Sequence, residues 1–140
     1  MIEVSNTYLG AAHYQDTSGT YDRASNTVAA LTHTWDNNWF GGFHASPVVV
    51  LVDSCNNVVG GAVGPVFGVV GTVEASWGFG PSDRLDPWSA GAIGSSAQQR
   101  AVRAIAVHKW APQNQLNNIL QQAIAIGQNV ATLIAIISSL

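Results

Sequence analysis

The sequence predicts a mostly β fold, a small antiparallel β-sandwich or partly open barrel of about six strands, followed by one long C-terminal α-helix. Three observations indicate it: a β-branched run at residues 47–52, glycine-interrupted apolar stretches from 58 to 77, and an apolar 3-4 repeat from Leu116 to Leu140. Together they predict a β-rich body at residues 1–112 and an amphipathic helix at 113–140, within one structural domain.

The first 26 residues are mainly polar, with a short apolar opening at Ile2 and Val4. This pattern predicts a short edge strand followed by a loop. From residue 27 the chain alternates, and the alternation places Leu31, His33 and Trp35 on one face of a second strand. The Asp-Asn-Asn triplet at 36–38 ends that strand, because these residues favour turns.

The centre of the body is the strand at 47–52, PVVVLV. A continuous β-branched run is typical of a strand that is buried on both faces. Residues 53–57, DSCNN, have the composition of a hairpin loop, where asparagine tolerates a positive φ. A return strand follows at 58–59, and the glycines from 60 to 71 predict short or bulged strands beyond it.

Residues 78–99 contain no clear periodicity, which predicts a long irregular loop of the kind that often carries function. Residues 100–110 alternate, with Val102, Ala104 and Ala106 on one face, and Pro112 follows soon after. We therefore expect a strand over 100–110. A helix beginning at Ser95 or Ser96 is the alternative.

The last segment has apolar residues at alternating spacings of three and four, which is the a/d pattern of a coiled coil. A helix of about 26 residues would be roughly 39 Å long, so part of it should contact another chain. Isoleucine at d positions favours coiled coils of three or more helices. The predicted oligomer interface consists of Leu116, Ile119, Ile126, Val130, Leu133 and Ile137.

Two other interpretations of this helix stay open. It could pack along the sheet of its own chain, which requires no partner. It could also insert in a membrane, because no charge follows Lys109, but Gln128 and Asn129 would then lie in hydrocarbon at a cost. Membrane contact is thus the least favoured of the three.

The composition excludes several function classes. Only 9% of the residues are charged, against roughly 25% in an average domain, and the five cations are scattered. Nucleic-acid binding needs a patch of cations, so we expect none. The single cysteine, Cys55, has no cation nearby to activate it. No cofactor motif is present, and the sequence predicts no compartment.

A carbohydrate site is one hypothesis for the tryptophan-bearing loops. Indole faces next to amide and carboxylate groups suit a neutral sugar, whereas buried tryptophans that anchor loops are the commoner alternative. The candidate ligand-binding residues are Asn37, Asn38, Trp39, Asp83, Arg84 and Trp88.

The sequence disfavours two further sites. His33, Asp36 and His44 could hold a divalent metal if they met in space, but they lack the tight spacing of a metal motif. Asp83 and Asp86 beside Ser82 could act as an acid and base, although a turn with an ion pair explains them as well.

The sequence therefore favours a non-enzymatic self-associating module, a binding or structural protein joined through its C-terminal helix into a homo-oligomer of three or more chains. A carbohydrate-binding protein with a glycan ligand is the second hypothesis. A small hydrolase or metal enzyme is the third; no catalytic residue, metal or cofactor is assigned to the chain.

Overall fold

The computed structural model describes residues 1–6 and 13–140 and shows a curled β-sheet with helices packed on part of it. The strands are β1 (Ile2–Asn6), β2 (His13–Asp22), β3 (Thr27–Asp36), β4 (Phe43–Val52), β5 (Val58–Val63), β6 (Phe67–Val69), β7 (Asp83–Gly91) and β8 (Arg103–Lys109). The helices are α1 (Thr72–Ser76), α2 (Ala97–Arg100), α3 (Gln113–Ile126) and α4 (Val130–Ser138).

The sheet has the strand order β5-β4-β8-β1-β2-β3-β7, and β6 pairs with the first part of β4. All neighbours are antiparallel except β1 and β8. The sheet curls into a half-barrel. The segment after β7 returns to β5, where Gly61 and Ile93 exchange two backbone hydrogen bonds of 3.1 and 2.8 Å.

The mostly β prediction is confirmed, but the count of about six strands is wrong, because residues 1–6 and 13–140 form eight. β7 lies inside the predicted loop 78–99, and β2 lies inside the predicted loop before residue 27. Part of that second loop, residues 7–12, lies outside the described residues. β1 is not an edge strand, since β2 and β8 pair with it on its two sides.

The prediction of a strand over residues 100–110 is confirmed by β8. The competing helix is limited to α2, four residues that follow Ser96. β4 is buried on both faces, as predicted: Val49 and Leu51 point into the concave core, and Val50 and Val52 point outward beneath helices α3 and α4.

The prediction of a single long C-terminal helix is wrong, because the segment forms two short helices. α3 ends at Gly127, whose φ of +59° lies in the left-handed region that favours glycine. Asn129 then caps α4, and its Oδ1 accepts the Ala131 N–H at 2.9 Å. Across the described ranges, none of the helices combines the length and the apolar character that a membrane-crossing helix requires.

Both helices pack on the sheet. α3 contacts β4 and β5, and α4 contacts β8 and α3. Leucines 116, 120 and 133 and Ile137 are fully buried against the outward valines of β4, β5 and β8. We call β4, β5 and β8 the covered half of the sheet, and β1, β2, β3 and β7 the bare half.

Candidate functional site

The structure divides the six predicted ligand-binding residues. Asn37, Asn38 and Trp39 lie exposed in the loop between β3 and β4. Trp88 is buried in the concave core, where its Nε1 donates to Thr32 Oγ1 at 2.8 Å. An indole in that position packs the core and offers no face to a ligand.

Arg84 is also part of the fold. Its guanidinium donates to both oxygens of Asp86 at 2.6 and 3.0 Å and to the Gly68 carbonyl at 3.1 Å. The hydrogen bond with Asp86 raises the pKa of Arg84. The side chain also lies over the Phe67 ring, with Cζ 5.8 Å from its centroid, so it holds β6 next to β7.

A cluster of large exposed aromatic side chains lies next to the loop that carries Trp39. Trp39, Phe40, Trp77 and Phe79 are 72, 60, 61 and 70% exposed, and we call them the aromatic cluster. The Phe40 and Trp77 centroids are 5.8 Å apart, and those of Trp77 and Phe79 are 6.2 Å apart. Their planes are inclined by 50° and 87°, so the cluster is a corrugated apolar surface.

Backbone hydrogen bonds hold the loop of Trp39 against α1. The Thr72 N–H donates to the Asn38 carbonyl at 2.8 Å, and the Val73 N–H donates to the Trp39 carbonyl at 3.0 Å. Glu74 Oε1 accepts the N–H groups of Gly41 and Gly71. A side chain at Gly71 would place its Cβ 2.5 Å from the Trp39 carbonyl oxygen, so this close contact requires glycine.

The second loop of the aromatic cluster is similarly constrained. Gly78 and Gly80 have φ values of +88° and +145°, which favour glycine, and they place Phe79 between them. The Phe79 N–H donates to the Glu74 carbonyl at 3.2 Å, and the Val70 N–H donates to the Pro81 carbonyl at 2.9 Å. The exposed rings therefore extend from anchored backbone.

An open groove of about 470 Å³ adjoins the aromatic cluster through Phe79. Three of its lining residues are glycines, one is His44, and the rest are apolar or proline. The lining is Gly42, Phe43, His44, Gly68, Val69, Val70, Phe79, Gly80 and Pro81. Such a surface suits shape and apolar contact and provides no acid–base pair.

The disfavoured metal set does not come together. His33 lies on the outer face of β3, whereas Asp36 is buried on the inner face and accepts the Asn38 N–H at 2.8 Å. His44 lies at the groove beside Phe79. Among the residues that the structure describes, no group of three or more His, Cys, Asp or Glu side chains could hold a metal ion.

The suggested acid–base pair is also divided. Strand alternation places Asp86 on the inner face with Arg84, and Asp83 on the outer face, where its Oδ1 lies 2.8 Å from His33 Nε2. The two carboxylates therefore face opposite sides of β7 and cannot act on one substrate.

The predicted interface residues are used mainly within the chain. Leu116, Val130, Leu133 and Ile137 are buried in the core beneath α3 and α4, and Ile119 packs partly against it. Ile126 is 73% exposed. The residues of the 3-4 repeat thus stabilise the single chain, with Ile126 as the member most available to a partner.

Sequence reasoning missed a polar network inside the bare half. Thr17 Oγ1 lies 2.9 Å from both Thr32 Oγ1 and His108 Nε2, and Gln15 Nε2 donates to Thr34 Oγ1 at 3.1 Å. These side chains are buried, so the Thr17–His108 contact is closed to substrate. The available signal was the spacing of two between the polar residues Gln15 and Thr17, and between Thr32 and Thr34, because residues two apart in a strand share a face.

Comparison with known proteins identifies no relative: no protein-family model, curated protein or solved structure matches the chain.

Proposed function

We propose that this protein is a non-enzymatic self-associating module, and that the aromatic cluster is the surface through which copies join. The observation that carries the proposal is the exposure of four large aromatic side chains on two adjacent, backbone-anchored loops. Contiguous apolar surface of this kind is rare on monomers and marks interaction sites.

The chemistry of the aromatic cluster is that of an interface centre. Tryptophan and phenylalanine are enriched there, and charged residues are depleted. Burial of aromatic anchors supplies most of the energy of such contacts. Because the two loops are held by hydrogen bonds to α1, little conformational entropy would be lost on association.

A second copy is the partner that the charge distribution favours. Glu74 is the acidic residue of α1, and one of its oxygens already accepts two backbone N–H groups. Two copies related by a two-fold axis would thus bring ring against ring without opposing unpaired like charges. The inclined ring planes allow the two corrugated surfaces to interdigitate.

The C-terminal helices offer a weaker surface for the same function. The expectation of three or more chains depended on a continuous coiled coil, and the break at Gly127 removes that premise. Self-association on this side would depend on Ile126, Ile136 and Leu140, which remain exposed. We therefore expect a two-fold dimer through the aromatic cluster.

Light scattering coupled to size-exclusion chromatography tests the proposal over a wide concentration range. The parent chain should have about twice its mass of 14.7 kDa. The double variant Trp77→Ser/Phe79→Ser should be monomeric, because loss of each hot-spot ring costs about 2 kcal/mol or more of binding energy. Its melting temperature should change little apart from the loss of dimer, since both rings are exposed.

Ile126→Ser is the matched control, because it removes a similarly exposed apolar side chain from the helical surface. We expect it to remain dimeric. If Ile126→Ser is monomeric and the double variant is still dimeric, the interface lies on the C-terminal helices. A parent chain that is monomeric at every concentration would refute self-association.

A carbohydrate ligand is the second candidate function. Trp39 presents an exposed indole beside the exposed amides of Asn37 and Asn38, which is the combination that a neutral sugar requires. A glycan array with the parent chain and with Trp39→Ala tests it. Binding that disappears in Trp39→Ala would support the hypothesis, and no binding at high protein concentration would contradict it.

A further inference from the structure

A second groove lies on the outer face of the bare half, and no residue of the aromatic cluster lines it. Its volume is about 260 Å³. The lining combines one carboxylate, a histidine, small polar groups and two leucines: Asn6, Asp16, Thr17, Ser18, Leu31, His33 and Leu85.

The divergence of β1 from β2 provides room for this groove. The two strands pair at Ile2 and Glu3, and further along the Thr17 N–H donates to the side-chain oxygen of Asn6 at 2.6 Å. At this point the Asn6 side chain thus takes the place of the backbone hydrogen bonds between β1 and β2. Asp16 and Ser18 are on the outer face of β2, beside the gap.

Asp16 is the residue in the groove whose interactions are incomplete. Its Oδ1 is buried, and none of the described residues donates a hydrogen bond to it. A buried carboxylate oxygen without a donor costs free energy, and native proteins normally satisfy such atoms. The histidine opposite, His33, is bound through Nε2 to Asp83 at 2.8 Å.

None of the lysine and arginine side chains pairs with Asp16. Every lysine and arginine in the sequence has a partner elsewhere, and a carboxylate without a cation favours an external one. Their partners are the Ala101 carbonyl for Arg23, Asp86 for Arg84, Asp53 for Arg100, Asn56 for Arg103 and the Ser138 carbonyl for Lys109.

We propose that this groove binds a basic alkyl group, an ammonium or guanidinium on a methylene stem, with Asp16 as its counter-ion. Leu31 and Leu85 are partly exposed and would contact the stem, as apolar surfaces do for lysine and arginine side chains. The Ser18 hydroxyl provides a further acceptor. A divalent ion fits less well, since the described residues provide no set of three acidic, histidine or cysteine ligands.

The test is a titration of the isotope-labelled full chain followed by amide NMR. The probes are Nα-acetyl-arginine amide and Nα-acetyl-lysine amide, and the neutral isostere is Nα-acetyl-citrulline amide. We expect the basic probes to shift the amide signals of Ser18, Leu31 and Leu85. We expect citrulline amide to leave them unchanged, and about 1 M sodium chloride to weaken the binding.

Asp16→Asn should weaken binding of the basic probes at least about tenfold, because a charge-assisted hydrogen bond is lost. Glu3→Gln is the matched control, since it removes the same charge from an exposed position outside the groove lining. Asp16→Asn should also leave the melting temperature unchanged or raise it by up to about 3 °C, because burying a neutral amide costs less free energy than burying a carboxylate. A purely structural carboxylate would instead lose stability on this change.

1,4-Diaminobutane identifies the source of the basic group. If 1,4-diaminobutane binds more tightly than the amino-acid amides, the ligand of the groove is a free amine. If it binds more weakly, the ligand is a basic side chain of a protein segment. Equal binding of citrulline amide, or unchanged binding by Asp16→Asn, would overturn the proposal. These outcomes are independent of the oligomeric state of the parent chain.

Discussion

The covered and bare halves of one sheet differ in chemistry. In the covered half, the fully buried outward side chains of the strands are valines, and α3 and α4 cover them. In the bare half, the outward face carries Asp16, Ser18 and His33, while its inward face holds buried threonines and Gln15. The covered half therefore depends on apolar burial, whereas the bare half adds buried hydrogen bonds to the apolar packing of Tyr21, Val28 and Trp88.

The largest expected difference between the halves is in tolerance to truncation. Leu133→Ala should reduce the free energy of unfolding by about 2–5 kcal/mol, because it leaves a cavity beneath α4. Leu85→Ala on the bare half should change it by less than about 0.5 kcal/mol, because this side chain is exposed. Denaturant unfolding of both variants measures the contrast, and equal losses would show that the bare half is also covered in solution.

A reciprocal exchange of valine and threonine probes the interiors of the two halves. Thr32→Val should cost about 1–3 kcal/mol, because Trp88 Nε1 and Thr17 Oγ1 each lose a buried partner. Val50→Thr should cost a similar amount for the opposite reason, since it buries a hydroxyl in an apolar layer. Thermal unfolding measures both changes; an unaffected Thr32→Val would contradict a stabilising polar network.

The smallest expected effect concerns the hairpin between β4 and β5. The Asn57 N–H, together with the Cys55 N–H and Arg100, lowers the pKa of Asp53. A lowered folded-state pKa gives stability that is present above the unfolded value of about 3.9 and is lost as the pH falls through the folded value. The contribution is limited, because the Arg100 side chain is 56% exposed.

Melting temperatures measured from neutral to acidic pH test the Asp53 prediction. Asp53→Asn keeps an oxygen for the backbone N–H groups but removes the charge and the acceptor of Arg100, so the acid-dependent part of the loss should disappear. Asp22→Asn in the β2–β3 turn of the bare half is the control, since Asp22 accepts one backbone N–H, from Ala24. An acid-dependent loss that persists in Asp53→Asn would refute the assignment.

The sequence predicted the covered half better than the bare half. The valine run of β4 and the alternation of β8 are apolar, so their periodicity is visible. Asn56 has the positive φ of +64° expected for the hairpin loop. In β3 the buried face is the threonine face, and Leu31 points outward, which is the reverse of an assignment based on hydrophobicity.

Two further errors have physical causes. β2 and β7 resemble loops because several of their inward side chains are polar, and the hydrogen bonds that these side chains make are revealed only by the fold. The 3-4 spacing continues across the break at Gly127 because both helices turn their apolar faces to one sheet. The aromatic cluster was found only in part, through Trp39, since the contact between its two loops is not local in sequence.

The position of β1 has a consequence for how the chain is made. Its residues Val4–Asn6 pair in parallel with Ala104–Ala106, about a hundred positions later in the chain. Val4–Asn6 thus have to wait for β8, which is synthesised much later, before the centre of the sheet can close. Such long-range pairing slows folding and leaves strand edges open meanwhile. The edge of β1 that faces β8 is therefore open until β8 has been synthesised.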